Sequence, residues 1–165
     1  MRRLIWTAIF LMAFTLPAWA QESIENTYCS DYHSARVKMV SDSSARKLSE
    51  AGMTAGGSSI VRVNAGQLGD LSGNARSFAV YFSCASLTLG HLNKGAESIY
   101  DYYDQVSNAD CWAAGKLFYG GLIDKEGVSA LEEEINQLTP EQRSHFPGPA
   151  RIVSLNDVCE LKPMN

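Results

Sequence analysis

Histidine, the side chain most often used for metal binding and for acid–base catalysis near neutral pH, occurs three times in the sequence, at positions 33, 91 and 145. No two of these histidines have the close spacing of a zinc motif. A zinc site built from His91, His145 and Asp110 would therefore depend on the fold alone, and no spacing in the sequence supports it.

Serine hydrolysis is the second chemistry that the residue types permit. Ser83 or Ser86 would act as the nucleophile, with His145 and Asp110 as its partners. The chain lacks the G-x-S-x-G motif that exposes a nucleophilic serine at a sharp strand-to-helix turn. Because Ser, His and Asp trios can be chosen from most sequences, an active hydrolase stays an alternative that the sequence does not specifically favour.

The first twenty residues have the three parts of a secretory signal peptide. Residues 2–3 are basic, residues 4–16 are apolar, and residues 18–20 form a small-x-small cleavage site, so we expect cleavage after Ala20. The apolar run is shorter than the roughly 20 residues that span a bilayer. The mature chain is predicted to be residues 21–165 of a bacterial-type periplasmic or secreted protein, with no membrane insertion.

Loss of the two arginines leaves 12 basic against 18 acidic residues, a net charge of −6 for the mature chain. An acidic surface argues against binding to nucleic acid or to anionic membranes. The length suits a single domain with its own core. The sequence does not determine the oligomeric state.

Four cysteines remain in the mature chain, at positions 29, 84, 111 and 159. An even number in an exported protein predicts two disulfides. A zinc site built from all four is the alternative, but no pair has C-x-x-C spacing.

The elements that must position these residues follow from apolar periodicity and from glycine and proline. Residues 24–48 are predicted to form one helix or a broken pair, the glycine-rich residues 50–59 a loop, and residues 60–63 a short strand. Helices are expected over residues 72–89, 98–119 and 125–138, with Ser72 or Asn74 as the first cap. Residues 139–149 are expected to be a loop.

A last helix is predicted to begin at Pro149 and to bury Ile152, Leu155 and Cys159. One short strand against several helices predicts an α+β domain that is mostly helical.

Three ordered segments have a familiar arrangement. They are "FSCASLTLGH" (residues 82–91), "QVSNADCWAAGKL" (105–117) and "SHFPGPARIVSL" (144–155), preceded by the strand "SIVRVN". Their order resembles the HExxH zinc metallopeptidases of the gluzincin type, in particular the HtpX-like and periplasmic group. The resemblance runs from about Ser59 to Cys159. It implies a small zincin-like domain whose strand or sheet packs on the active-site helix.

The sequence departs from this family at the metal. The resemblance places Phe82 and Ser86 at the two zinc histidines, Ser83 at the general-base glutamate and Val106 at the third ligand. A catalytic zinc needs three protein ligands and an open position for water, and a base must take the proton of that water. The resemblance therefore implies an inactive pseudo-peptidase without a metal or other cofactor.

Three residues match positions that the family uses around its metal. The resemblance makes Asp110 the orienting partner of a zinc histidine, and makes His145 and Arg151 contacts to substrate, so a groove that still holds a peptide is expected. The alternative is structural: Arg151 neutralises Asp110 or caps a helix, and His145 lies on a solvated loop.

The resemblance also favours disulfides between Cys84 and Cys111 and between Cys29 and Cys159. At about 100° per residue, however, Cys84 points away from the helix face that holds Phe82. If the two helices meet only through that face, Cys84 needs another partner.

The sequence thus predicts an exported, zinc-less, peptidase-like protein that binds a peptide or protein partner. Two alternatives stay open: an active hydrolase with relocated residues, and a structural or interaction domain unrelated to peptidases.

Overall fold

Three short strands and the helices that follow them make up the protein in a computed structural model, which describes residues 28–67 and 69–162. The predicted signal peptide and its cleavage site lie outside these residues. The strands are β1 (Lys38–Ser41), β2 (Ser49–Met53) and β3 (Ser59–Val63). The helices are α1 (Gly73–Thr88), α2 (His91–Lys94), α3 (Ile99–Tyr119), α4 (Lys125–Asn136), α5 (Pro140–His145) and α6 (Leu155–Val158).

The sheet is mixed, with β3 in the middle. Strand β3 pairs parallel with β1, with Ile60 opposite Lys38, and antiparallel with β2, with Val63 opposite Ser49. The β-branched residues of β3 suit a buried central strand, and the prediction of a strand over residues 60–63 is confirmed. The chain is therefore α+β and mostly helical, with a small sheet packed against helices, as the sequence predicted at this level.

The region before β3 contradicts the sequence prediction. Residues 24–48 were expected to be helical, but the described part holds β1 and an isolated bridge between Ser30 and Arg36. A loop was predicted over residues 50–59, but strand β2 occupies most of the first half of this range. Only residues 54–58 form the connection between β2 and β3. The cause is tertiary pairing: β3 supplies the hydrogen bonds that stabilise two segments with weak strand propensity of their own.

The three long helices agree with the prediction. The hydroxyl of Ser72 accepts a hydrogen bond from the Ala75 N–H and caps α1, and Ser98 and Asp124 cap α3 and α4 in the same way. Helix α1 packs against α3 on one side and against β2 and β3 on the other.

The C-terminal third was predicted less well. Residues 139–149 are not all loop, because Thr139 and Gln142 form a capping box that begins α5. The last helix begins at Leu155 rather than at Pro149. Leu155 and Cys159 are buried as predicted, but Ile152 is 75% exposed, so its predicted burial was wrong.

Asn136 explains the extended chain before α6. Its side-chain oxygen accepts from the Val153 N–H at 2.9 Å, and its side-chain NH₂ donates to the Val153 carbonyl at 2.7 Å. This strand-like pairing satisfies both backbone groups of Val153, so the chain there needs no helix.

Two disulfides cross-link the chain, and they indicate an oxidising, extracytoplasmic location. The pairing expected from the resemblance was wrong: Cys29 bonds to Cys84, and Cys111 bonds to Cys159. Helix α1 presents Phe82 toward α3 and Cys84 toward the sheet, where Val37, Val61 and Val63 form a second small core. Cys84 therefore faces the segment before β1 and lies away from α3.

Within the described residues, no helix combines the length and the apolar character that crossing a membrane requires.

Candidate functional site

Phe82 lies at the centre of the site that the sequence singled out. It is buried in the core between α1 and α3, as is Val106 on the facing helix. Neither side chain has a lone pair for a metal. The donor chemistry at these positions does not fit zinc.

The Arg151 guanidinium lies over the Phe82 ring, with its central carbon 4.5 Å from the ring centroid. Its Nε and Nη2 atoms donate to the two carboxylate oxygens of Asp110, at 2.8 and 2.5 Å. Its Nη1 atom donates to the carbonyls of Pro147 and Pro149, at 2.9 and 3.0 Å. A flat guanidinium is thus held by a ring, a carboxylate and two backbone groups, which is a geometry that lysine could not reproduce.

Asp110 and Arg151 are both almost fully buried, with side chains 9% exposed. Burial raises the pKa of the Asp110 carboxyl, and the hydrogen bonds and charge of Arg151 act in the opposite direction. This ion pair is the structural alternative that the sequence left open for Arg151.

The loop between α5 and Arg151 closes tightly over Phe82. Gly148 has a φ of +77°, and a Cβ there would lie 2.7 Å from the Phe82 ring and 2.9 Å from Arg151 Nη1. Only glycine allows both this conformation and this approach. The Lys47 ammonium donates to the carbonyls of Phe146 and Gly148 and so ties the loop to the chain before β2.

Lys47 was not identified from the sequence. Burial lowers its pKa, and so does the nearby positive charge of Arg151. No motif surrounds this lysine, so its partner carbonyls, 99 and 101 residues further along the chain, could be found only from the fold. Gly148 does carry a signal, because it lies between two prolines in "FPGPAR".

The two serines on α1 point in different directions. The Ser83 hydroxyl is buried 2.8 Å from the hydroxyl of Ser49, which itself donates to the Ala79 carbonyl at 2.6 Å. The Ser86 hydroxyl donates back to the Phe82 carbonyl at 3.3 Å. Both hydroxyls therefore have structural partners.

His145 is not brought to Asp110. Its Nδ1 lies 2.8 Å from the Arg46 carbonyl, so the proton is on Nδ1, and its own carbonyl accepts from the Leu48 N–H at 2.7 Å. Of the three residues predicted to line a groove, the structure joins Asp110 and Arg151 and places His145 in a separate contact with the chain before β2. Among residues 28–67 and 69–162, no three His, Cys, Asp or Glu side chains are placed to hold a metal ion.

A small cavity of about 150 Å³ opens beside the buried ion pair. Asp110 and Arg151 lie at its inner end, and Tyr103, Ile152 and Val158 form an exposed apolar rim. Tyr102 packs edge-on against Tyr103, with ring centroids 5.8 Å apart, and extends this surface along α3. We call these four exposed residues the apolar rim.

A larger groove of about 870 Å³ runs along α3 on the other side of the Cys111–Cys159 disulfide. It was not predicted from the sequence. Its walls come from the end of α1, the exposed stripe of α3 and the C-terminal segment, with Leu89, Trp112, Gly115, Lys116, Tyr119 and Leu161 among the lining residues. We call it the α3 groove.

No family model, curated protein or solved structure matches this chain. The resemblance to zinc metallopeptidases therefore stays a prediction drawn from sequence segments.

Proposed function

We propose that this chain is an exported, non-catalytic binding protein, related to the HExxH zinc metallopeptidases but without their metal, that holds a peptide or protein partner. The observation that carries the proposal is the guanidinium of Arg151 between the Phe82 ring and the Asp110 carboxylate. A cation occupies the place where the family resemblance would put the chemistry of a metal. It is fixed there by four hydrogen-bond acceptors, which are the two Asp110 carboxylate oxygens and two backbone carbonyls.

The surroundings of the polar side chains support the absence of catalysis. Ser83 and Ser86 are bonded to groups other than a histidine, and the Asp110 carboxylate is occupied by Arg151. A general base must be able to reach the proton that it removes. His145 instead contacts the Arg46 carbonyl.

The apolar rim supports partner binding. Contiguous exposed apolar surface commonly marks an interaction site, and tyrosine is enriched at interfaces because it combines a large contact area with a polar end. Tyr103, Ile152 and Val158 surround a cavity into which a partner side chain can insert. The rim thus lies beside Arg151, one of the two residues that the resemblance assigns to substrate contact.

Localisation is part of the proposal. The two disulfides favour an oxidising compartment, and the signal sequence favours export to the periplasm or beyond.

The test of binding is a comparative capture from the native cell envelope with the mature chain as bait. The Ile152→Asp variant places a charge on the apolar rim, and Leu122→Asp places the same charge on an exposed leucine after α3. We expect one protein to be retained by the wild type and by Leu122→Asp, to be lost with Ile152→Asp, and to bind again when purified. Equal capture by all three baits would refute the rim as the site.

Catalysis is tested separately with protein purified without chelators. We expect less than stoichiometric zinc by metal analysis and no cleavage of a peptide library. Cleavage that stops when a chelator is added would contradict the proposal.

The relation to metallopeptidases is tested by restoring the motif. Phe82→His, Ser83→Glu, Ser86→His and Val106→Glu are combined with Arg151→Ala, because the guanidinium would otherwise repel a metal at that place. A folded variant is expected to bind one zinc ion, and Arg151→Ala alone is the control. A folded variant that takes up no zinc would show that the resemblance assigns the zinc-site positions wrongly.

A further inference from the structure

The α3 groove has the dimensions of a small-molecule site. Its volume of about 870 Å³ lies within the roughly 300–1,000 Å³ of typical ligand pockets, and its walls are mostly apolar with a few polar groups. Trp112 on α3 and Leu161 in the C-terminal segment both line it, and the Cys111–Cys159 disulfide joins those two parts of the chain.

Gly115 contributes to the α3 groove by lacking a side chain. It lies in the interior of the 21-residue helix α3, where glycine is destabilising relative to alanine. The atoms nearest to a Cβ at this position would be side-chain atoms of Tyr119 and Leu161, at 3.7 Å or more, so no close packing requires the glycine. Its effect is to leave open the space between Trp112 and Tyr119, one turn on either side.

Lys116 brings a cation to the groove. The Lys116 ammonium lies 4.8 Å from the centroid of the Trp112 ring, and in the described part of the chain no carboxylate comes within ion-pair distance of it. Glu160 also lines the groove, but its carboxylate pairs with Lys162 at 3.5 Å. A mature chain of net charge −6 therefore presents a cation without an ion-pair partner among the described residues beside an apolar wall, and such a site favours an anionic ligand.

The shape favours a hydrocarbon chain over a peptide. From Lys116 back to Asn108 the groove follows α3 for eight residues, about 12 Å at 1.5 Å per residue. An extended peptide would place a polar amide against this apolar wall at every residue, and unpaired amides are costly to bury. An acyl chain has no such groups, and Leu89 adds a further apolar side chain to the lining.

We propose that the α3 groove binds a free long-chain carboxylate, with its carboxylate paired to Lys116 and its acyl chain along Trp112 toward Leu89. This site is separate from the apolar rim and goes beyond the proposed binding of a peptide or protein partner. Burial, and then the positive charge of Lys94, lower the pKa of His91, which also lines the groove, so both disfavour the charged imidazolium as the partner of the anion.

Intrinsic fluorescence provides a direct measurement. The tryptophans are Trp6, Trp19 and Trp112, and the first two lie in the predicted signal peptide, so Trp112 is the sole tryptophan of the mature chain. Dodecanoate, dodecan-1-ol and dodecyltrimethylammonium are titrated below their micelle-forming concentrations. We expect dodecanoate to shift Trp112 emission to shorter wavelength at a one-to-one ratio, confirmed by calorimetry, and the cationic analogue to bind at least about tenfold more weakly.

Matched variants identify the contacts. Gly115→Leu fills the groove and is expected to abolish binding while the helix stays folded, because leucine is a better helix former than glycine. Lys116→Glu is expected to weaken dodecanoate binding at least about tenfold, whereas Lys38→Glu, the same charge change on β1, leaves it unchanged.

Three results would overturn the inference: no response of the wild type to dodecanoate, equal affinity for all three head groups, or wild-type affinity in Lys116→Glu. The rim variant Ile152→Asp is expected to bind dodecanoate normally, so failure of this site and failure of the proposed partner surface can be distinguished.

Discussion

Replacement of Arg151 by methionine removes a positive charge but keeps a long side chain that can still cover the Phe82 ring. The change deletes two charge-assisted hydrogen bonds to Asp110, at 2.8 and 2.5 Å, in a pair whose side chains are 9% exposed. Removing one partner of a buried ion pair costs about 3–5 kcal/mol, because the other charge stays buried without compensation. Urea unfolding of the mature chain followed by circular dichroism measures this loss.

A double variant separates the ion pair from the other contacts of the arginine. Asp110→Leu combined with Arg151→Met replaces both charges by apolar groups, and such replacements are often neutral or stabilising. We expect the double variant to recover most of the stability lost in Arg151→Met, so that the double-mutant cycle gives a coupling energy of at least about 2 kcal/mol.

The pH dependence has a definite sign. Burial already raises the pKa of Asp110 in the folded protein, and loss of Arg151 removes the groups that hold it down. Above the ordinary pKa of the carboxyl, the folded state then binds more protons than the unfolded state, so stability falls as pH rises through that interval. The deficit of Arg151→Met is expected to shrink on acidification from neutral pH toward pH 4. If Arg151→Met lowers the free energy of unfolding by less than about 1 kcal/mol at every pH, Arg151 is a free arginine of the kind that contacts substrate. That result would refute a structural role for its ion pair with Asp110.

Three smaller changes test other parts of the structure. Gly148→Ala is expected to cost about 1–3 kcal/mol in urea unfolding because its methyl group meets Phe82 at a positive φ, and unchanged stability would mean that the loop lies elsewhere. Thr139→Ala removes the cap of α5 and should cost about 0.5–2 kcal/mol, with Ser144→Ala in the same helix as a milder control. The wild type should lose stability relative to His91→Gln as pH falls below about 6.5, because the unfolded chain takes up a proton there before the folded histidine does; parallel pH curves would contradict this.

The long helices could be predicted because their signals are local. Ser72 and Ser98 are caps, apolar residues recur at helical spacing, and Gly90 adopts the positive φ that ends α1. Strand β2 could not be predicted, since "SEAGM" has no strand pattern of its own and is stabilised by pairing with β3.

In the candidate site, too, the residues with a local sequence signal could be predicted, and the contacts made by the fold could not. Asp110 and Arg151 were both identified from sequence segments, and their direct pairing was among the structural alternatives considered. The stacking of Arg151 on Phe82 and the role of Lys47 depend on a loop that comes close only in three dimensions. The direction of Cys84 on α1 was a better guide to its partner than the resemblance was, because side-chain direction along a helix is fixed by geometry.

The pairing of Cys29 with Cys84 and of Cys111 with Cys159 joins each cysteine to its neighbour in chain order. The two covalent loops do not overlap, so either bond can form without the other. Under the export proposed above, a chain that crosses the membrane from its N-terminus delivers the first pair before the second has emerged, and an oxidase that joins cysteines as they appear makes the native bonds directly. We therefore expect maturation to need an oxidase but no disulfide isomerase, so that the slow reshuffling step common in other disulfide proteins is avoided.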